Sequence, residues 1–287
     1  MASRVKSSGL GALVARAALA WIRQDPHSGA LQRTNFHGRT VSLAGGPALA
    51  AGATLGAAAG APGAAATAAV VVAGATSGAV GLYDDIVGNR PEQKAAKGFR
   101  GHVGALREGR VTSGLVKIAG VGAAGLAAAA LLARDPGVRA HRRRPDAGVL
   151  RRTTDVLLGA GVIAGTANLL NLLDLRPGRA IKAATIIGTP LVAGRGGAMT
   201  AGTLGASAAL LPADLGEEIM LGDAGANALG ALLGVALAAR TGPAGRALTL
   251  AVLAGLTAAS EKVSFTKVIQ DTPGLRELDA LGRRPAP

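Results

Sequence analysis

Apolar residues run in long blocks along the chain, separated by short breaks that are charged or rich in Gly and Pro. A bilayer-crossing helix needs about 20 mostly apolar residues, with a range of about 17 to 25. Nine stretches meet or approach that length: 8–22, 42–61, 64–83, 112–133, 154–173, 180–194, 197–212, 218–239 and 243–260. The pattern predicts an all-α, polytopic integral membrane protein of about nine transmembrane helices. Residues 1–260 form a single transmembrane domain, and 261–287 form a polar C-terminal tail. The first stretch begins like a signal peptide, with Arg4 and Lys6 and then a small-x-small Ala18-Leu19-Ala20. Arg16 breaks its apolar run, so it reads as a retained helix.

The breaks are unequal. Arg23–Val41, Asp84–Val111, Arg134–Thr153 and the tail from Glu261 are long or polar. Ala61-Pro62-Gly63 and Thr241-Gly242-Pro243 are tight turns. With nine spans and the N-terminus outside, Arg23–Val41, Asp84–Val111, Asp174–Arg179, Pro212–Gly216 and the tail share one side. That side holds the distinctive polar residues and the larger share of Lys and Arg, so it is expected to face the cytoplasm. The basic run His141-Arg142-Arg143-Arg144 falls on the opposite side, against the trend.

Composition sharpens the membrane reading. Apolar residues make up 49% of the chain but aromatics only 2%, so Ala, Leu, Val and the 44 Gly carry the apolar mass. Small residues let helices approach closely in lipid, where packing drives association. Without cysteine, disulfides and thiolate metal sites are excluded, and the four His form no metal-binding pair. A formal net charge of +14 would suggest nucleic acid in a soluble protein. Here no aromatics interleave with the cations, which lie between apolar runs. Anionic headgroups and phosphorylated substrates are the expected partners, and nucleic acid is not.

Three polar motifs interrupt the apolar blocks. Asp84-Asp85 closes the third block, where two carboxylates need water, a cation or a partner. A solvated helix end is the plainer explanation for that pair alone. Asn168, Asn171 and Asp174 recur at a spacing of three, near one helix face. Interhelical hydrogen bonding by Asn is the plainer alternative there. Gly222-Asp223-Ala224-Gly225-Ala226-Asn227 carries an acid into an apolar run, where it is either a functional acid or an interfacial helix-start residue. Lys94, Lys97, Arg100, Arg107 and Arg110 follow the Asp pair, and Lys97-Gly98 suits phosphate contact or a positive-inside anchor. Acids at helix ends on one side, beside a basic loop, suit phosphoryl transfer with a divalent cation. Mg²⁺ favours one or two carboxylates plus substrate phosphate oxygens.

In order and spacing these motifs resemble the polyprenyl-phosphate N-acetylhexosamine-1-phosphate transferases. That superfamily has an Asp-Asp pair after its third helix, an N-x-x-N-x-x-D loop and a G-D-x-G-S stretch. Asp84-Asp85, Asn168/Asn171/Asp174 and Gly222–Ala226 look like these, Thr40–Gly46 looks like the segment ending in Gly-Gly before the second helix, and Lys97-Gly98 resembles the Lys-Gly of the second cytoplasmic loop. The likeness spans about residues 30–235.

The resemblance implies a bacterial plasma-membrane enzyme with its site facing the cytoplasm. It would transfer a sugar-1-phosphate from a UDP-sugar to undecaprenyl or another polyprenyl phosphate, release UMP, and serve peptidoglycan or envelope polysaccharide synthesis. Asp223 would be the main ligand of Mg²⁺, or of Mn²⁺ in its place. Asp84 and Asp85 would handle the prenyl phosphate and its proton, or assist the metal. Asn171 and Asp174 would support the nucleotide end, with Asn168, Lys97 and Thr40 as further substrate contacts; Arg176, in a turn that departs from the family pattern, is expected to take part in nucleotide handling in place of the family's glycines. Homodimers occur among family members.

The chain departs from the family pattern in three places. Asp174-Leu175-Arg176-Pro177-Gly178-Arg179 replaces a glycine-rich turn, Ala226 replaces Ser, and the tail replaces a His-rich sugar-recognition loop and a tenth helix. The third departure motivates an alternative, a non-catalytic relative that binds polyprenyl phosphate in envelope assembly. A small transporter is disfavoured, because no internal repeat is visible and the motifs gather on one side rather than at the midplane.

Overall fold

A computed structural model describes residues 1–90, 98–136, 148–194 and 196–285. Each of the nine apolar blocks contains a helix: α1 (Ala2–Gln24), α2 (Gly45–Ala59), α3 (Ala64–Val87), α5 (Ser113–Leu132), α6 (Val149–Leu173), α7 (Arg179–Val192), α8 (Gly197–Leu215), α9 (Gly222–Arg240) and α10 (Pro243–Ser260). The fold is helical and membrane-type. Among the described residues, α1, α3, α5, α6 and α9 are long and apolar enough to cross a bilayer.

Two blocks are shorter as helices than their apolar length, for one physical reason. Thr40–Ser42 forms strand β2, antiparallel to β1 (Gln32–Thr34) with Arg33 opposite Val41. Residues 218–220 run beside Ser42, whose carbonyl accepts the Met220 N–H at 2.9 Å. Those backbone groups are committed to strand-type bonds, so α2 starts at Gly45 instead of 42 and α9 at Gly222 instead of 218. At 15 residues α2 is about 22 Å long, short of the roughly 30 Å hydrocarbon core. The sequence pattern also missed three short helices: α4 (Gly98–Arg107), α11 (Phe265–Asp271) and α12 (Leu275–Ala280).

Helix α9 is the hub. It packs on α2, α3 and α6, while α1 and α2 lie on α8, and α5 bridges α3 and α6. Its side chains from Ala224 to Ala236 are buried with almost no bulk beyond Leu and Val. A Cβ on Gly230 would run into the Ala167 backbone, so this contact requires glycine. The motif-bearing ends of α3, α6, α8 and α9, the β-hairpin and the tail lie together at one end of the bundle. Arg33 bonds the Asp85 carbonyl at 2.8 Å, and Arg39 reaches the Pro285 carbonyl at 3.4 Å.

Candidate functional site

The centre forms where α3 ends, α9 begins and α6 ends. Residues 222–224 open a helix, so their N–H groups lack intrahelical partners and carry the positive end of the helix dipole. Two carboxylates fill that position. Asp85 accepts the Asp223 N–H through Oδ1 and the Ala224 N–H through Oδ2, both at 2.9 Å. Asp174 accepts the Gly222 N–H. Gly222 holds φ at +58°, and a Cβ there would stand 2.8 Å from Asp85 Oδ1, so any side chain would be strained and would collide with the cap.

Asp223 turns the other way. Lys117 Nζ lies 2.6 Å from Asp223 Oδ2 and 2.6 Å from Asp84 Oδ2, so a single ammonium bridges α3 and α9. Asn171 Nδ2 donates to Asp223 Oδ1, and Ser113 hydrogen-bonds Asp84. Ser113 and Lys117 are one turn apart on α5 and share a face, so α5 supplies the donor wall of the centre. Three carboxylates, Asp84, Asp85 and Asp223, thus gather around one ammonium.

Asp174, just past the end of α6, has an Oδ2 atom that is buried without a hydrogen-bond partner. Burial, reinforced by Asp214, Asp223 and Asp85, pushes its carboxyl well above the usual range. Asp174 borders a cavity of about 190 Å³ whose wall includes Asn35, Phe36, Arg176, Asp214 and Glu217. Arg176 lies over the Phe36 ring, 4.0 Å from its centroid, and Asp214 Oδ2 accepts the Gly178 N–H at 2.9 Å. Beside it, Asn35, His37 and Arg39 of the hairpin all bond the Glu217 carboxylate, at 2.5, 3.0 and 3.1 Å.

Of the residues singled out in the sequence, the fold brings Asp84, Asp85, Asn171 and Asp223 together, with Asp174 and Arg176 beside them. Asn168 points elsewhere: its Nδ2 donates to Thr257 Oγ1 on α10 at 3.0 Å, the interhelical bond weighed above as the plainer alternative. Thr40 is exposed on the hairpin. Lys97 and Lys94, like the basic run around His141, lie outside the described residues. Sequence reasoning missed Lys117, Asp214 and Glu217. Lys117 had a signal, since a lysine in an apolar 20-residue helix needs a buried partner.

Among the described residues, no group of three or more His, Cys, Asp or Glu is disposed to hold a metal ion. The donor set still suits a hard divalent cation. Asp84 Oδ2 and Asp223 Oδ2 flank one cation position that the Lys117 ammonium fills, and Asp174 Oδ2 is an orphaned oxygen nearby. Comparison with protein-family models and with curated proteins finds no match for the chain.

Proposed function

We propose that the chain is a multi-pass membrane transferase that moves a sugar-1-phosphate from a UDP-sugar onto a polyprenyl phosphate. The observation that carries this reading is the gathering of Asp84, Asp85, Asn171 and Asp223, from three helices, around Lys117 at one end of the bundle. A phosphate oxygen of the lipid would attack the sugar-linked phosphorus. One P–O bond forms, the bond to the uridine-linked phosphate breaks, and UMP leaves with the electron pair.

The residues divide the labour by position. Asp85 and Asp174 fix the start of α9 and so aim Asp223. Lys117 offers positive charge where phosphate oxygens would gather. Arg176 on Phe36, both lining the cavity, fits the nucleotide end. Asp223 and Asp84 would hold Mg²⁺, or Mn²⁺ in its place, which when bound neutralises phosphate charge. The reading puts this end at the cytoplasmic face of a bacterial plasma membrane, supported by the share of Lys and Arg on that side.

A second reading, a non-catalytic binder of polyprenyl phosphate, has one observation behind it. Both oxygens of Asp85 and both of Asp223 are already hydrogen-bonded within the protein. Detergent-purified protein, undecaprenyl phosphate, Mg²⁺ and a panel of UDP-sugars separate the two. UMP release with a lipid-linked product, lost in EDTA and in Asp223→Asn, supports transfer. Folded protein that binds the lipid phosphate yet releases no UMP with any sugar supports the second reading.

A further inference from the structure

The tail from Glu261 is docked rather than trailing. Helix α11 turns 93° away from α10, and α12 then brings Asp279 against the start of α7. The Asp279 carboxylate is 8% exposed and sits in the fork of Arg179, with Nε and Nη2 at 2.8 and 2.9 Å. Arg283 adds a third contact at 2.5 Å, and Arg179 Nη1 donates to Thr266 Oγ1. Lys182 donates to the carbonyls of Leu278, Asp279 and Leu281, the end of α12, where a cation also meets the negative end of the helix dipole. Arg283 Nε closes the strap onto the Pro177 carbonyl at 2.9 Å.

The charges do not balance. Arg176, Arg179, Lys182 and Arg283 crowd one region, while Asp279 is the carboxylate they close around and Asp214 lies nearby. Burial, then repulsion from Arg179 and Arg283, presses the Arg176 pKa down. Burial would raise the Asp279 carboxyl, but Arg179 and Arg283 outweigh it and hold it below the usual range. Among the described residues Arg176 pairs with no carboxylate. Its fork is left to Phe36 and the Leu175 carbonyl, in the lining of the cavity that Asp174 also borders. A carboxylate held by two Nη/Nε donors presents the same pair of oxygens as a phosphate.

We propose that Arg176, Arg179 and Lys182 form a binding site for a phosphoryl group, which the Asp279 carboxylate, held there together with Arg283 of the same strap, fills as an internal surrogate while the tail is docked. The ligand is a phosphoester or diphosphate, soluble or lipid-borne, and its binding releases the tail. The tail is then a strap whose position reports occupancy. This goes beyond the transferase reading, because it concerns binding and needs no transfer.

The chain has no cysteine, so Leu278→Cys gives one spin-label position on the strap. In the full chain, inorganic pyrophosphate is the soluble probe and nanodiscs containing polyprenyl phosphate are the lipid probe, with NaCl at matched ionic strength as control. The label is expected to become mobile with one probe and not with NaCl, and the probe that works names the source. Asp279→Asn frees the site of its competitor. If docking leaves about one site in ten open, apparent affinity for that probe rises about tenfold, and Arg179→Gln added to Asp279→Asn cancels the gain. A label that stays immobile with both probes, or that NaCl mobilises equally, overturns the proposal. So does a folded Asp279→Asn protein that binds neither probe more tightly. If Asp279→Asn does not fold, the wild-type label decides alone.

Discussion

Helix α6 carries a buried polar group near its start and a half-buried one near its end, and the two ends behave differently. Near its start, Asp155 pairs with Arg246 of α10 at 2.6 Å, and both side chains are almost fully buried. Arg246 also donates to the Asp155 carbonyl at 3.2 Å and through Nε to the Ala238 carbonyl at 3.0 Å. Carboxylate and guanidinium pair directly, and backbone oxygens accept further donors of the fork. Sixteen residues on, about 24 Å along the helix, Asn171 joins a centre where three carboxylates face one lysine and the orphaned Asp174 oxygen lies close by. Similar side chains thus make a staple where a buried carboxylate and guanidinium meet directly. Where acid is in excess and an oxygen is left over, they make a site poised for a further cation or donor.

The largest effect should fall on the staple. Arg246→Met removes the guanidinium paired with the buried Asp155 and is expected to cost about 3–5 kcal/mol of stability. Replacing both partners, Asp155→Leu with Arg246→Met, should recover most of that, because the buried ion pair is then removed as a unit. Activity per folded molecule should be unchanged. Thermal unfolding in nanodiscs beside a transfer assay checks both, and a stable Arg246→Met protein without activity would undo the division between staple and site.

Lys117→Met tests the other end. Without the ammonium, Asp84 and Asp223 face one another uncompensated, and stability should come to depend on a divalent cation. Mg²⁺ at about 100 times its Kd would add about 2.7 kcal/mol, and less in the wild type, where Lys117 competes for the same oxygens. Equal gains in Tm for the two proteins would mean that the lysine does not occupy a cation position.

Two glycines sharpen the contrast further. A Cβ on Gly81 would stand 2.5 Å from the Asp223 carbonyl carbon and 2.7 Å from Ala224 Cα, so α3 must shift from α9. Gly81→Ala should cost about 1–3 kcal/mol and disturb the centre. A Cβ on Gly159, beside the staple, meets Ala129 Cβ at 3.2 Å and Arg246 Nη1 at 3.8 Å. There the small shift is offset by the helix preference for Ala, about 1 kcal/mol. Matching losses of Tm would show that the two ends are equally tight.

The helices were legible because nine apolar blocks are long and the breaks between them are polar or rich in Gly and Pro. The acid motifs were legible for the same reason, as charge inside apolar runs stands out. What stayed hidden depends on partners far along the chain. Lys117 looks like an isolated lysine until Asp223, 106 residues later, is folded against it. The strands β1 and β2 are three residues each, too short for alternation to register, and their stability comes from pairing with each other and with 218–220. Asp279 reads as one more charge in a polar tail, and only the 93° turn after α10 brings it to Arg179. Asn168 shows the reverse: periodicity grouped it with Asn171, yet a small rotation along α6 sends it to Thr257.

The smallest effect should appear at the hairpin, which lines the cavity. Burial would raise the Glu217 carboxyl, but hydrogen bonds from Asn35 and His37 and the Arg39 charge outweigh it, so the pKa lies below the usual glutamate value. A depressed folded pKa means that the stabilisation is complete at pH above the unfolded value and is lost as pH falls through the folded one. The hairpin should therefore loosen on the acid side of the ordinary glutamate range and not near neutrality. The loss should be at most about 1 kcal/mol, because Arg39 and the strands are partly exposed and solvent screens the pairs. A fluorescent label on the exposed Thr34→Cys would report this as falling anisotropy. Glu217→Gln keeps a hydrogen-bond acceptor without the charge, so its hairpin should be somewhat looser at neutral pH and indifferent to acid. An acid transition that survives in Glu217→Gln would move the control of the cavity wall to another group.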